Sequence, residues 1–81
     1  MKLLYSQRFR CSYLAAPKSV QKAFEKHVRL LLENLRHPSL RAKKYDEAKG
    51  IWQARVTRSW RFYFSIEDDA YLLHDIIPHP K

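Results

Sequence analysis

The chain has one glycine, one cysteine and no long apolar run. With Gly50 standing alone, a glycine-rich loop that wraps phosphate in consecutive backbone amides is excluded. Cys11 cannot close an internal disulfide and cannot build a cysteine-rich zinc site. The expectation is a reduced, cytosolic protein without a metal or other cofactor. Nothing approaches the ~18 consecutive apolar residues that suggest a membrane span. Met1-Lys2-Leu3-Leu4-Tyr5 runs at once into Ser6-Gln7-Arg8, too short and too polar for a signal peptide. Acidic side chains are scarce as well: 8 Asp and Glu stand against 16 Lys and Arg, for a formal net charge of +8.

What is present suits one small domain spanning 1–81. Hydrophobic residues make up 46% of the chain, and two Trp, five Tyr and four Phe supply the bulk that a short chain needs to build a stable core. The charge is uneven. Residues 1–44 hold eleven Lys and Arg against two Glu, leaving +9, whereas residues 45–81 hold five against six acids, leaving −1. Such an excess attracts polyanions: nucleic acid, an acidic protein or anionic lipid. It is also what solubility alone would produce.

Periodicity divides the chain in two. Met1 to Tyr5 suits a short strand. Ser6 is a good N-cap for a short helix carrying Phe9, Tyr13 and Leu14. Pro17 fits the first turn of a second helix, whose apolar stripe runs Val20, Ala23, Phe24, Val28, Leu31 and Leu35. Lys18, Lys22, Glu25, Lys26 and Arg29 take the opposite face, and Pro38 ends the helix. After a strand over Leu40 to Asp46 the period becomes two: Ile51 to Thr57, Trp60 to Ile66 and Ala70 to Ile77 read as strands joined by Thr57-Arg58-Ser59 and Glu67-Asp68-Asp69. The fold class is therefore α+β, an N-terminal helical hairpin packed on a small, mostly antiparallel twisted sheet.

Register follows from these loops, because opposed residues share a face. Val56, Ala54 and Trp52 then meet Trp60, Phe62 and Phe64 beneath the helices. On the other face Gln53 meets Tyr63 and Arg55 meets Arg61. The next hairpin sets Phe64 against Leu72 and Arg61 against Asp75, and leaves His74 facing the core. Two arginines opposed across a ladder repel each other unless an anion lies between them. Asp75 or Glu47 supplies that anion in one reading; in the other, paired guanidiniums form a seat for phosphate. Tyr63 and Tyr71 near this face would suit stacking on unpaired bases, or reflect β-propensity alone.

Several motifs then occur in order: Pro38-Ser39-Leu40, Lys43-Lys44-Tyr45, Gly50-Ile51-Trp52, Trp52-Gln53-Ala54-Arg55-Val56, Trp60-Arg61-Phe62-Tyr63-Phe64, and Asp75-Ile76-Ile77-Pro78-His79. Their order and spacing resemble the RelE/ParE superfamily of toxins from type II toxin–antitoxin pairs, over nearly the whole chain. The resemblance implies one of two actions. RelE-type members are ribosome-dependent endoribonucleases that cut mRNA in the 30S A site without a metal. ParE-type members poison DNA gyrase and lack that chemistry. Both imply a cognate antitoxin as partner.

RNA cleavage of this kind needs the 2′-hydroxyl to attack the adjacent phosphate in line, with a base, an acid and cations for the developing charge. The resemblance assigns His79 as proton carrier, since an imidazole changes charge near neutral pH. It assigns Arg55 to transition-state stabilisation, a role that Arg61, across the ladder from it, suits as well, and Lys43 and Lys44 to orienting RNA; Tyr63 adds a face on which a base could stack. The base stays open. One branch of the resembling RNases carries a Glu after the helices, where this chain has His37-Pro38-Ser39; several end with a Tyr beside the catalytic His, where this chain has Pro80-Lys81. Tyr45, Tyr63, His37 and the lysine pair remain as candidates. The combination of Arg55, Arg61, the lysines and His79 favours the ribonuclease expectation over the gyrase one.

Overall fold

A computed structural model describes residues 1–79. Strand β1 (Lys2–Tyr5) leads into helices α1 (Gln7–Ala15) and α2 (Lys18–Glu33), followed by strands β2 (Lys43–Asp46), β3 (Ile51–Thr57), β4 (Trp60–Glu67) and β5 (Ala70–Pro78). The sheet order is β1-β5-β4-β3-β2. All neighbours are antiparallel except β1 and β5, which the helical hairpin allows to run parallel by carrying the chain across the sheet. This is the expected α+β architecture. Pro80-Lys81, where several resembling RNases have a tyrosine, lie outside the described residues.

The helix starts have local causes. Ser6 Oγ accepts the Phe9 N–H at 3.0 Å and donates to the His74 carbonyl at 3.0 Å, so one hydroxyl caps α1 and ties it to β5. Pro17 sits one position earlier than expected, as the N-cap of α2 with extended backbone, and its carbonyl accepts the Val20 and Gln21 N–H groups. The α2 stripe buries Val20, Phe24, Val28 and Leu31 against Ala54, Phe62, Phe64, Leu73 and Ile76 of the sheet. Phe24 meets Phe62 edge-on, with centroids 5.3 Å apart. Leu14, expected beside Phe9 and Tyr13, is instead 78% exposed. Tyr71 departs in the other direction: it lies in the core, edge-on to Phe64, and not on the polar face.

β2 is shorter than expected because Pro38–Leu40 forms a 3-10 turn that drives Leu40 fully into the core. His37 Nδ1 accepts the Ser39 N–H and caps that turn, and Arg41 then adopts a left-handed backbone, φ 47°. Gly50 supplies φ 67° where the chain re-enters the sheet at β3, a conformation that an L side chain rarely takes.

Both hairpins are tighter than their sequences suggest, and each contains a bulge. Thr57 pairs with Trp60 and Arg55 with Arg61, so Val56 is the extra residue and does not meet Trp60 directly. Glu67 pairs with Ala70, which makes the second turn Asp68-Asp69 alone; Phe64 then meets Leu73 instead of Leu72. A bulge at His74 sets Tyr63 against Asp75, Phe62 against Ile76 and Arg61 against Ile77. The expected Arg61–Asp75 pair does not form. His74 turns to the polar face and lies 2.8 Å, by its Nε2, from Ser65 Oγ, so a core histidine is avoided. In each hairpin the bulge corrects the pleat, and apolar residues stay under the helices.

Candidate nucleic-acid interface

The helices cover one side of the sheet. On the other side β4 presents Ser65, Tyr63 and Arg61 in succession, and β3 presents Gln53 and Arg55 opposite the last two. Tyr63 is half-buried and its hydroxyl accepts from Gln53 Nε2 at 3.0 Å. Tyr45, 63% exposed, meets the Tyr63 ring edge-on at 5.0 Å. The two rings form an aromatic step beside the arginine pair.

Arg61 and Arg55 are opposed as expected, but their guanidiniums are used differently. Arg61 Nη1 donates to the carbonyls of Thr57 at 2.7 Å, Trp60 at 2.9 Å and Arg58 at 3.3 Å. It therefore closes the β3–β4 turn from within. Burial lowers its pKa most, then the charge of Arg55; Tyr63 opposes them, and the charge of Arg41 adds a lesser lowering. Arg41, Arg55 and Arg61 thus share one field. Among the described residues the ion pairs are Lys2 with Asp69 at 3.9 Å and Arg8 with Asp75 at 3.7 Å, neither touching this cluster. Asp75, one of the two carboxylates that could have neutralised the arginine pair, faces Tyr63 and accepts the Ile76 N–H.

Beside the cluster β3 outruns its neighbour. The ladder between β2 and β3 ends at Lys43 opposite Gln53, leaving Arg55 to Thr57 without a strand on that side. A depression of about 480 Å³ opens there, lined by His27 of α2, Pro38, Ser39 and Arg41 of the 3-10 turn, and Arg55 to Arg58. His27 Nδ1 lies 2.5 Å from the Arg55 carbonyl. The lining contains three arginines, Arg41, Arg55 and Arg58, and no carboxylate.

The two lysines separate. Lys43 pairs with Gln53 and lies on the arginine face. Lys44 pairs with Trp52 and places its ammonium 5.2 Å from that indole centroid on the helix side, with Arg36 over the same ring at 5.9 Å. His79 is exposed, and its backbone N–H donates to the Ser59 carbonyl at 2.6 Å. It extends the β5 register past Pro78, which pairs with Trp60, and so stands at the same end of the sheet as the Arg61-closed turn. His37 is occupied in its turn cap. Among the described residues no three His, Cys, Asp or Glu side chains converge on a metal-sized space.

Sequence reasoning missed His27, Arg41 and Arg58. The signal for His27 was present: Val20, Ala23, Phe24, His27, Val28 and Leu31 follow one helical stripe, and the histidine is its polar member. Arg41 gave no local signal, since its place depends on a left-handed residue after a 3-10 turn.

No family model matches the chain, and no curated protein does. Solved structures do. A YoeB/ParE toxin from Agrobacterium tumefaciens superposes with a TM-score of 0.81 at 14% identity, covering 99% of this chain and 100% of that one. The YoeB dimer from Staphylococcus aureus gives 0.82 at 13% identity, covering 99% and 98%. The chain has the RelE/ParE-like fold. YafQ of the Escherichia coli DinJ–YafQ complex, at 0.79 and 18% identity over 96% and 92% of the two chains, has the same RelE-like architecture.

Proposed function

We propose that this RelE/ParE-like protein is the toxin of a type II toxin–antitoxin pair, and that it acts as a ribosome-dependent, metal-independent endoribonuclease on mRNA. The observation that carries the reading is the cluster of Arg41, Arg55 and Arg61, gathered from the 3-10 turn, β3 and β4 without a carboxylate paired to any of them among the described residues. Like charges held this close raise the energy of the empty protein, and a bound polyanion relieves it. RNA supplies both the phosphate for the arginines and bases for the Tyr45–Tyr63 step.

In this reading Arg55, whose guanidinium has no carboxylate partner among the described residues, takes the scissile phosphate and the charge that builds on its oxygens. Arg61 adds field and holds the turn that carries Arg58. Lys43 and Tyr63 orient the strand. His79, at the Ser59 end, protonates the departing 5′-oxygen. An antitoxin partner is consistent with two similar solved structures, the Escherichia coli DinJ-YafQ toxin-antitoxin complex and the RelB-RelE antitoxin-toxin complex from Methanococcus jannaschii. No helix of the described residues is long and apolar enough to cross a membrane.

The deciding experiment is translation in vitro followed by primer extension along the message. Cuts at codon-spaced positions that appear only with ribosomes support the proposal. An intact message with stalled gyrase favours the ParE-like alternative.

A further inference from the structure

We propose that His27 is the general base of this site, taking the proton from the attacking 2′-hydroxyl through its Nε2. The inference rests on the ribonuclease reading and supplies the group that reading lacks.

The geometry fixes the ring. A backbone carbonyl can only accept, so the contact between Nδ1 and the Arg55 oxygen requires the proton on Nδ1. In the neutral imidazole Nε2 is then a lone-pair acceptor. His27 is half-buried, and no buried side-chain nitrogen or oxygen among the described residues lacks a partner. Nε2 has no protein partner there, so it is open to solvent. Its surroundings are the depression lined by Arg41, Arg55 and Arg58, where no carboxylate lies.

The arrangement matches what the reaction demands. The arginines neutralise phosphate and cannot accept a proton. His37 has its Nδ1 engaged in the 3-10 turn, and Tyr63 has its hydroxyl bonded to Gln53. His27 reaches the end of β3 from α2, whereas His79 reaches Ser59 from β5. The two histidines are thus carried by different elements, α2 and the end of β5, and in-line displacement calls for a base and an acid on opposite sides of the phosphorus. The 2′-oxygen forms a bond to phosphorus as its proton passes to His27 Nε2. The bond from phosphorus to the 5′-oxygen breaks, and that oxygen takes a proton from His79. The products are a 2′,3′-cyclic phosphate and a 5′-hydroxyl, with no oxidant, reductant or metal needed for balance.

The test is ribosome-dependent cleavage by wild type, His27→Asn and His27→Ala. Asparagine keeps a donor for the Arg55 carbonyl but has no basic nitrogen. His27→Asn should cut roughly 100-fold or more slowly, lose the acidic limb of the pH–rate profile, and melt and bind single-stranded poly(U) as wild type does. His27→Ala should regain cleavage when imidazole is added. If wild type cuts and His27→Asn cuts at the same rate with the same pH profile, the base assignment falls and the ribonuclease reading stands. If both variants lose activity together with melting temperature, and imidazole restores nothing, His27 is structural and the assignment falls too. If wild type itself leaves the message intact, the ribonuclease reading fails first.

Discussion

Arg61 faces Arg55 directly across the β3–β4 ladder and commits its guanidinium to the Thr57, Trp60 and Arg58 carbonyls. One arginine of the pair is thereby fixed as part of the scaffold, and the other remains available to a ligand.

Arg61→Ala should destabilise the protein by about 1–3 kcal/mol, because charged hydrogen bonds to the half-buried Thr57 and Trp60 carbonyls are lost. Arg61→Lys should recover only part of this, since an ammonium lacks the planar fork. Urea melts of the two variants measure the difference.

Arg55→Ala should fold at least as well as wild type and gain up to about 1 kcal/mol from relief of the opposed like charges. It should nevertheless abolish cleavage and growth arrest. For RNA binding measured across a salt series, the slope should flatten by about 0.7, the loss of one single-strand phosphate contact.

Lys43→Ala and Lys44→Ala should part company. Lys43 lies on the arginine face, and its loss should weaken binding to single-stranded RNA and steepen no other defect. Lys44 lies over Trp52 on the helix side, and its loss should leave RNA binding nearly unchanged while lowering stability by about 0.5–1 kcal/mol. Filter binding and thermal melts on the same preparations separate the two.

Stability should decline in alkali. Burial raises the pKa of both Tyr5 and Tyr13 above 10.0, Tyr13 also through its hydrogen bond to Glu25 and both through that carboxylate's charge. A raised pKa in the folded state means that the stabilisation is complete below 10.0 and is lost as pH climbs through the folded values. Tyr13→Phe should reduce this alkaline loss, as read by melting temperature between neutral pH and pH about 11.

Local pattern was enough for the elements themselves. The period of α2, the Ser6 cap and the alternation of β3 and β4 are written in side-chain chemistry, and the Arg55–Arg61 and Gln53–Tyr63 pairings follow once the hairpin is assumed. Tertiary structure decided the rest. Where Asp75 and His74 face depends on a bulge, because in a pleated strand a single extra residue reverses the side on which every later residue points. Which lysine meets RNA depends on the irregular pairing of β2, and the His27 ring is aimed by a carbonyl 28 residues further along the chain. The residue types that carry charge and protons could be read in order; their meeting in one depression required the helix, the 3-10 turn and the unpaired end of β3 to arrive at the same place.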